Sequence, residues 1–70
     1  MISDDLKEEI EKNYSSIMDM QDVSKCLRVS IRTVYRLLTE DKEIPAWFAD
    51  GTWNVSRSDV IAYIDKNGNA

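Results

Sequence analysis

Residues 19–40 read DMQDVSKCLRVSIRTVYRLLTE. The stretch holds two helical segments with one short break. Asp19 is a good N-cap, and Asp22, three residues on, can reach back as an imperfect capping box. The pattern predicts a helix from near Met20 to around Arg28, with Val23, Cys26 and Leu27 on its buried side. Arg28–Ile31 then make a turn. Ser30 caps a second helix that runs to about Thr39. In it Val34, Leu37 and Leu38 share one face, while Arg32, Thr33, Tyr35, Arg36 and Thr39 fall largely on the other.

Two short helices across a tight turn, the second displaying Arg, Thr and Tyr, form a helix-turn-helix unit. Downstream, Pro45 stops any helix and biases Ile44 to an extended conformation. Asp50-Gly51, set between aromatic and β-branched residues, is a strong hairpin signal. Trp47, Trp53 and Val55 are expected to seat that hairpin on the core. Ser56 is expected to cap a last helix, with Asp59 as an approximate capping box. Val60, Ile61, Tyr63 and Ile64 form its apolar face, and Gly68 stands just past its end.

Upstream, residues 4–14 read as a helix capped by Ser3, with Asp4 and Asp5 suiting its positive end. Lys7 and Glu11 pair on its wet face. Ile2, Leu6, Ile10, Tyr14 and Ile17 recur at helical spacing. That stripe either packs on the rest of the domain or forms a dimer contact. The expected fold is mainly α with a small β-hairpin wing: a winged helix-turn-helix preceded by an extra N-terminal amphipathic helix. It divides into an acidic helical extension at 1–17, the winged domain at 18–66 and a frayed C-terminus at 67–70.

Composition narrows the functions. Seventy residues make one small domain with little material for a walled active site. With 43% hydrophobic and 31% charged residues, the chain is an ordinary globular one and not a disordered one. Histidine is absent and Cys26 is the lone cysteine, which removes the commonest general base and most zinc sites. The carboxylate pairs Asp4/Asp5 and Glu40/Asp41 read as solvated helix ends. No catalytic residue, metal site or cofactor is expected. Cys26 shares a face with Val23 and Leu27 and reads as a small core residue. There is no apolar run long enough to span a bilayer and no basic-then-apolar leader, so a cytoplasmic location is expected.

The net charge of -4 is unevenly spread. Residues 1–22 carry seven acids and two bases, a net of -5, while residues 23–70 carry six acids and seven bases, a net of +1. Lys25, Arg28, Arg32 and Arg36 form a basic cluster with no acid until Glu40. An α-helix fits the major groove of B-DNA, and the arginine fork matches guanine O6 and N7. Arg32 and Arg36, four apart, project from one side. Ser30 and Thr33 lie in the first turn, where hydroxyls and backbone N–H groups bind phosphate. Tyr35 can offer its hydroxyl to the backbone, and Lys25 and Arg28 flank the turn. The candidate DNA-binding residues are therefore Lys25, Arg28, Ser30, Arg32, Thr33, Tyr35, Arg36 and Thr39, with Gly51 and Thr52 at the wing.

MDMQDVSKCLRVSIRTVYRLLTE (18–40), WFADGTWNV (47–55) and SRSDVIAYI (56–64) together resemble the small MerR-like, excisionase-type winged helix-turn-helix domains. The resemblance covers about residues 18–66. It implies DNA binding with the second helix of the motif in the major groove and the wing against the minor groove or backbone. It carries Ser30, Arg32, Thr33, Tyr35 and Arg36 over as recognition residues, and Val34 and Leu37 as buried ones. The family includes excisionases, which bend attachment-site DNA and steer an integrase, and small transcriptional regulators of phages, plasmids and integrated elements. The DNA-binding ends of some terminase small subunits look similar. The chain departs from the pattern at Arg28, where the turn usually has glycine, and at Ser24, where alanine is usual and serine is small enough to be neutral. It also departs at the wing tip, which reads ADGT in place of basic residues.

The expected function is sequence-specific, non-catalytic binding of double-stranded DNA, of excisionase or small-regulator type. Homodimers or cooperative arrays are expected on repeated sites. The alternative is a protein-interaction module on the same scaffold, engaging an integrase, a polymerase subunit or a terminase, for which the acidic first helix and acidic wing speak.

Overall fold

The computed structural model describes residues 2–67. The order is α1 (Asp4–Asn13), β1 (Ile17–Asp19), α2 (Met20–Leu27), α3 (Ile31–Thr39), β2 (Trp47–Ala49), β3 (Thr52–Ser56) and α4 (Arg57–Asn67). This is the expected mainly helical, winged arrangement with a helix in front. Of the expected frayed end at 67–70, Asn67 closes α4 and its side-chain amide donates to the Tyr63 carbonyl at 2.8 Å, while 68–70, Gly68 among them, lie outside the described residues.

The helix starts follow the caps. The Leu6 N–H donates to Ser3 Oγ at 3.2 Å. At α2 the capping box is complete: the Asp22 N–H donates to Asp19 Oδ1 at 2.8 Å, and the Asp19 N–H to Asp22 Oδ2 at 3.3 Å. At α4 the expectation needs correcting. Ser56 is the last residue of β3, paired with Ile17, and the strand runs straight into the helix. The Arg57 N–H is satisfied by the Ser16 carbonyl at 2.8 Å.

β1 is a second departure from the sequence reading. Ile17, assigned to the stripe of the first helix, lies in a three-residue strand and is 52% exposed. The helix has already stopped at Asn13, with Tyr14 extended at φ -127°. β1 pairs antiparallel with β3 (Met18 opposite Val55), and β3 also pairs antiparallel with β2. The sheet order is therefore β1-β3-β2.

The β2–β3 hairpin turns through Asp50 and Gly51, both left-handed at φ 53° and 78°. Positive φ at both central residues of a two-residue loop is the type I′ turn, whose twist matches the strands. Gly51 sits in open space, so the dihedral alone favours glycine there. The turn sets the register Ala49↔Thr52, Phe48↔Trp53 and Trp47↔Asn54. Phe48 therefore shares the Trp53–Val55 face, and Trp47 points the other way. Trp53 packs on the core and Val55 is fully buried, as expected. Trp47 is 42% exposed and does not seat the wing; Phe48, itself exposed, meets Trp53 edge-on, with ring centroids 5.5 Å apart.

One core joins every helix to the sheet. Ile10 of α1, Val23 of α2, Val34 and Leu38 of α3, and Val60, Ile61 and Ile64 of α4 surround Met18, Ile44 and Val55. The stripe of α1 is thus spent within the chain, with Ile2, Leu6 and Tyr14 packed against the same core as Ile10. Polar contacts fix α1 at both ends against α4. The Ile2 N–H donates to Asp65 at 2.8 Å. At the far end the Arg57 guanidinium donates to the Glu11 and Tyr14 carbonyls at 3.0 and 2.7 Å, satisfying groups that the helix end leaves open.

Arg57→Ala removes both of these charge-assisted bonds. We expect a loss of about 1–2 kcal/mol, read as a lower urea midpoint, with a fall in Tm of roughly 4–8 °C per kcal/mol. An unchanged midpoint would show that Arg57 does not anchor α1.

Candidate nucleic-acid interface

The turn between α2 and α3 decides where the candidate residues point. Arg28 closes α2 in the left-handed conformation, φ 59° and ψ 43°. Its N–H donates to the Ser24 carbonyl, and so does the Val29 N–H at 3.1 Å. The Ser24 hydroxyl donates back to the Val29 carbonyl at 2.5 Å. Ser24 is therefore not a neutral substitute for alanine. Its backbone and side chain together hold both sides of a turn that has an arginine at its left-handed position. That position costs a non-glycine residue about 1–2 kcal/mol.

Ser30 then starts α3. The Thr33 N–H donates to Ser30 Oγ at 3.2 Å, and the two hydroxyls lie 3.0 Å apart. Val34 is fully buried, with Leu37 and Leu38 beside it. At about 100° per residue, Arg32 and Arg36 then project from the side opposite Val34, with Thr39 next to them. Arg32, Tyr35 and Arg36 are exposed, as are Lys25 and Arg28 ahead of the helix. Thr33 and Thr39 are half-buried. Thr33 borders a groove with Leu37 and Tyr63, and the Thr39 hydroxyl donates to the Tyr35 carbonyl at 2.7 Å. The Arg36 guanidinium lies 3.8 Å from Asp41, with both side chains about half exposed. A pair so open to water is worth less than about 1 kcal/mol and leaves Arg36 available.

The end of α3 repeats the device at its beginning. Lys42 is left-handed at φ 50°, and the Glu43 N–H reaches back to the Leu37 carbonyl at 2.9 Å. Leu38, Thr39, Ile44, Pro45 and Trp53 border a common depression, so the root of the wing stands beside this end of α3. Gly51 and Thr52 are exposed at the wing tip. There is no Lys or Arg from Glu43 to Ser56, whereas Asp50 stands at the tip. The wing carries no cation of its own.

Two exposed apolar features escaped the sequence reading. Ile31, the first residue of α3, is 43% exposed, and Phe48 on the wing is 60% exposed. Ile31 was legible on a helical wheel, where it shares a flank with Tyr35. Phe48 required the hairpin register. Cys26 is half-buried against the core, and burial pushes its thiol up, which makes it a poor nucleophile. Among the described residues no cluster of metal-ligating side chains occurs, and no helix is long and apolar enough to cross a membrane.

The helix-turn-helix domain family matches residues 17–68, most of the chain. The match begins at the first residue of β1 and leaves α1 ahead of it. Comparison with curated proteins and with solved structures gives no match. The chain belongs to the helix-turn-helix domain family, a non-catalytic kind of domain, and that membership supports a DNA-binding role.

The turn makes two opposed predictions. Arg28→Gly relieves the left-handed strain and should raise stability by about 0.5–1 kcal/mol. Ser24→Ala removes the bridge to Val29 and should lower it by about 1 kcal/mol. Urea denaturation of the two variants checks both signs.

Proposed function

We propose that this member of the helix-turn-helix domain family is a sequence-specific, non-catalytic DNA-binding protein of the excisionase or small transcriptional-regulator type. In this reading α3 enters the major groove of double-stranded DNA. The observation that carries it is the pair Arg32 and Arg36, exposed on the side of α3 away from Val34. Both arginines stand on a helix whose start is fixed by Ser30 and whose opposite face is locked in the core. Each reads a guanine through its fork. Ser30, Thr33, Tyr35, Lys25 and Arg28 hold the phosphate backbone, and Thr39 borders the contact. Gly51 and Thr52 approach the neighbouring backbone without adding charge. A single domain with so few cations binds weakly, so homodimers or cooperative arrays form on repeated sites, with an integrase as a further partner for an excisionase. The protein works in the cytoplasm.

The second reading is a protein-interaction module. The wing supports it: it has no basic residue, an aspartate at its tip, and Trp47 and Phe48 exposed. Retention on heparin at low salt separates the two readings. The DNA reading expects retention that disappears when Lys25, Arg28, Arg32 and Arg36 are neutralised. The interaction reading expects none in either protein.

On a site selected from random DNA, the double variant Arg32→Ala, Arg36→Ala should keep its fold and lose roughly 100-fold or more in affinity. Undiminished binding would remove α3 as the reading helix. For each bound domain the logarithm of affinity should fall with that of salt concentration with a slope of about -2, from roughly 0.9 per neutralised phosphate and the two cations, Lys25 and Arg28, that hold the backbone; a dimer doubles it.

A further inference from the structure

We infer that Ile31 is a specificity-determining residue that reads the 5-methyl group of a thymine in the major groove. This rests on the DNA-binding reading above and adds to it a base class that the arginines do not recognise.

Ile31 has no evident part in folding. It is 43% exposed, lies outside the core cluster and stands at the first position of α3, between the capping Ser30 and Arg32. A β-branched residue gains nothing there from helix propensity. Its surroundings are cationic: the segment from Val23 to Thr39 contains Lys25, Arg28, Arg32 and Arg36 and no acid. A surface of that charge suits a polyanion better than an apolar protein face. In helix-turn-helix docking, the N-terminal residues of the second helix meet the base edges. Base edges in the major groove are otherwise hydrogen-bonding groups, and the thymine methyl is the apolar feature they offer. An aliphatic side chain without donor or acceptor, beside an arginine in the first turn, therefore matches a thymine next to the guanine read by Arg32. Tyr35, one turn on and 49% exposed, extends the same flank and shields the contact from water.

The test uses the full chain and a DNA site selected from a random pool. Each thymine of the site is replaced in turn by deoxyuridine, which lacks only the methyl. The wild-type protein should lose about fourfold in affinity at one position per half-site, the worth of one methyl taken out of water. Ile31→Ala should bind thymine and uracil equally at that position, and Ile31→Val should retain the preference. Unchanged urea midpoints exclude a folding effect. A site without thymine, a uracil series with no loss, or an Ile31→Ala protein that still prefers thymine overturns the inference and leaves the DNA-binding reading standing. Failure of the pool to yield any site overturns both.

Discussion

A single turn, closed by the Ser24 hydroxyl on the Val29 carbonyl, governs how α3 leaves α2. With Arg28 left-handed inside that turn, the direction of α3 is fixed before any core contact is counted. Ser30 then aligns the first turn, and Val34, Leu37 and Leu38 bury the inner face. Only with both constraints in place do Arg32 and Arg36 face solvent together. The chain meets this need with only two glycines, and places Arg28, Lys42 and Asp50 in left-handed positions that glycine would fill with less strain. Arg28 and Lys42 bracket α3, so a positive charge stands at each end of the exposed helix where a strain-free residue would have left none.

The core explains why α1 belongs to the fold although the family match starts at Ile17. A domain this small has few apolar side chains to bury, and Ile10 is one of them. The acids of α1 are confined to its wet face because Leu6, Ile10 and Tyr14 claim the other. Charge and packing are thus separated along one helix, which lets a chain of net charge -4 keep the segment from Val23 to Thr39 free of acids.

Most of this was legible in the sequence because it rests on local chemistry. Ser3, Asp19 with Asp22, and Ser30 cap the helices they were expected to cap, and Asp50-Gly51 turns the hairpin. Non-local features were hidden. β1 is three residues long, too short to show alternation, and exists only because β3 offers it a partner. Ser56 carries a capping residue's chemistry but is already paired in a strand. Arg57 reads as one more surface charge until Glu11 and Tyr14 arrive from the other end of the chain. The exposure of Trp47 was recoverable: a two-residue loop puts Phe48 opposite Trp53, and parity then turns Trp47 away from the core.

The anchoring of α1 by Arg57 and Asp65 also bears on how the protein is made. α1 is synthesised ahead of the elements it packs on, and a ten-residue helix is marginal in water on its own. Its partner α4 is translated after every other described element. The bonds that hold α1 span 43 to 63 residues of chain, so they cannot form until α4 has cleared the ribosome. Until then Ile10 stays exposed and the core is open on one side. Closure is therefore a late event in the folding of the domain, and α3 is made before it has a complete core to support it.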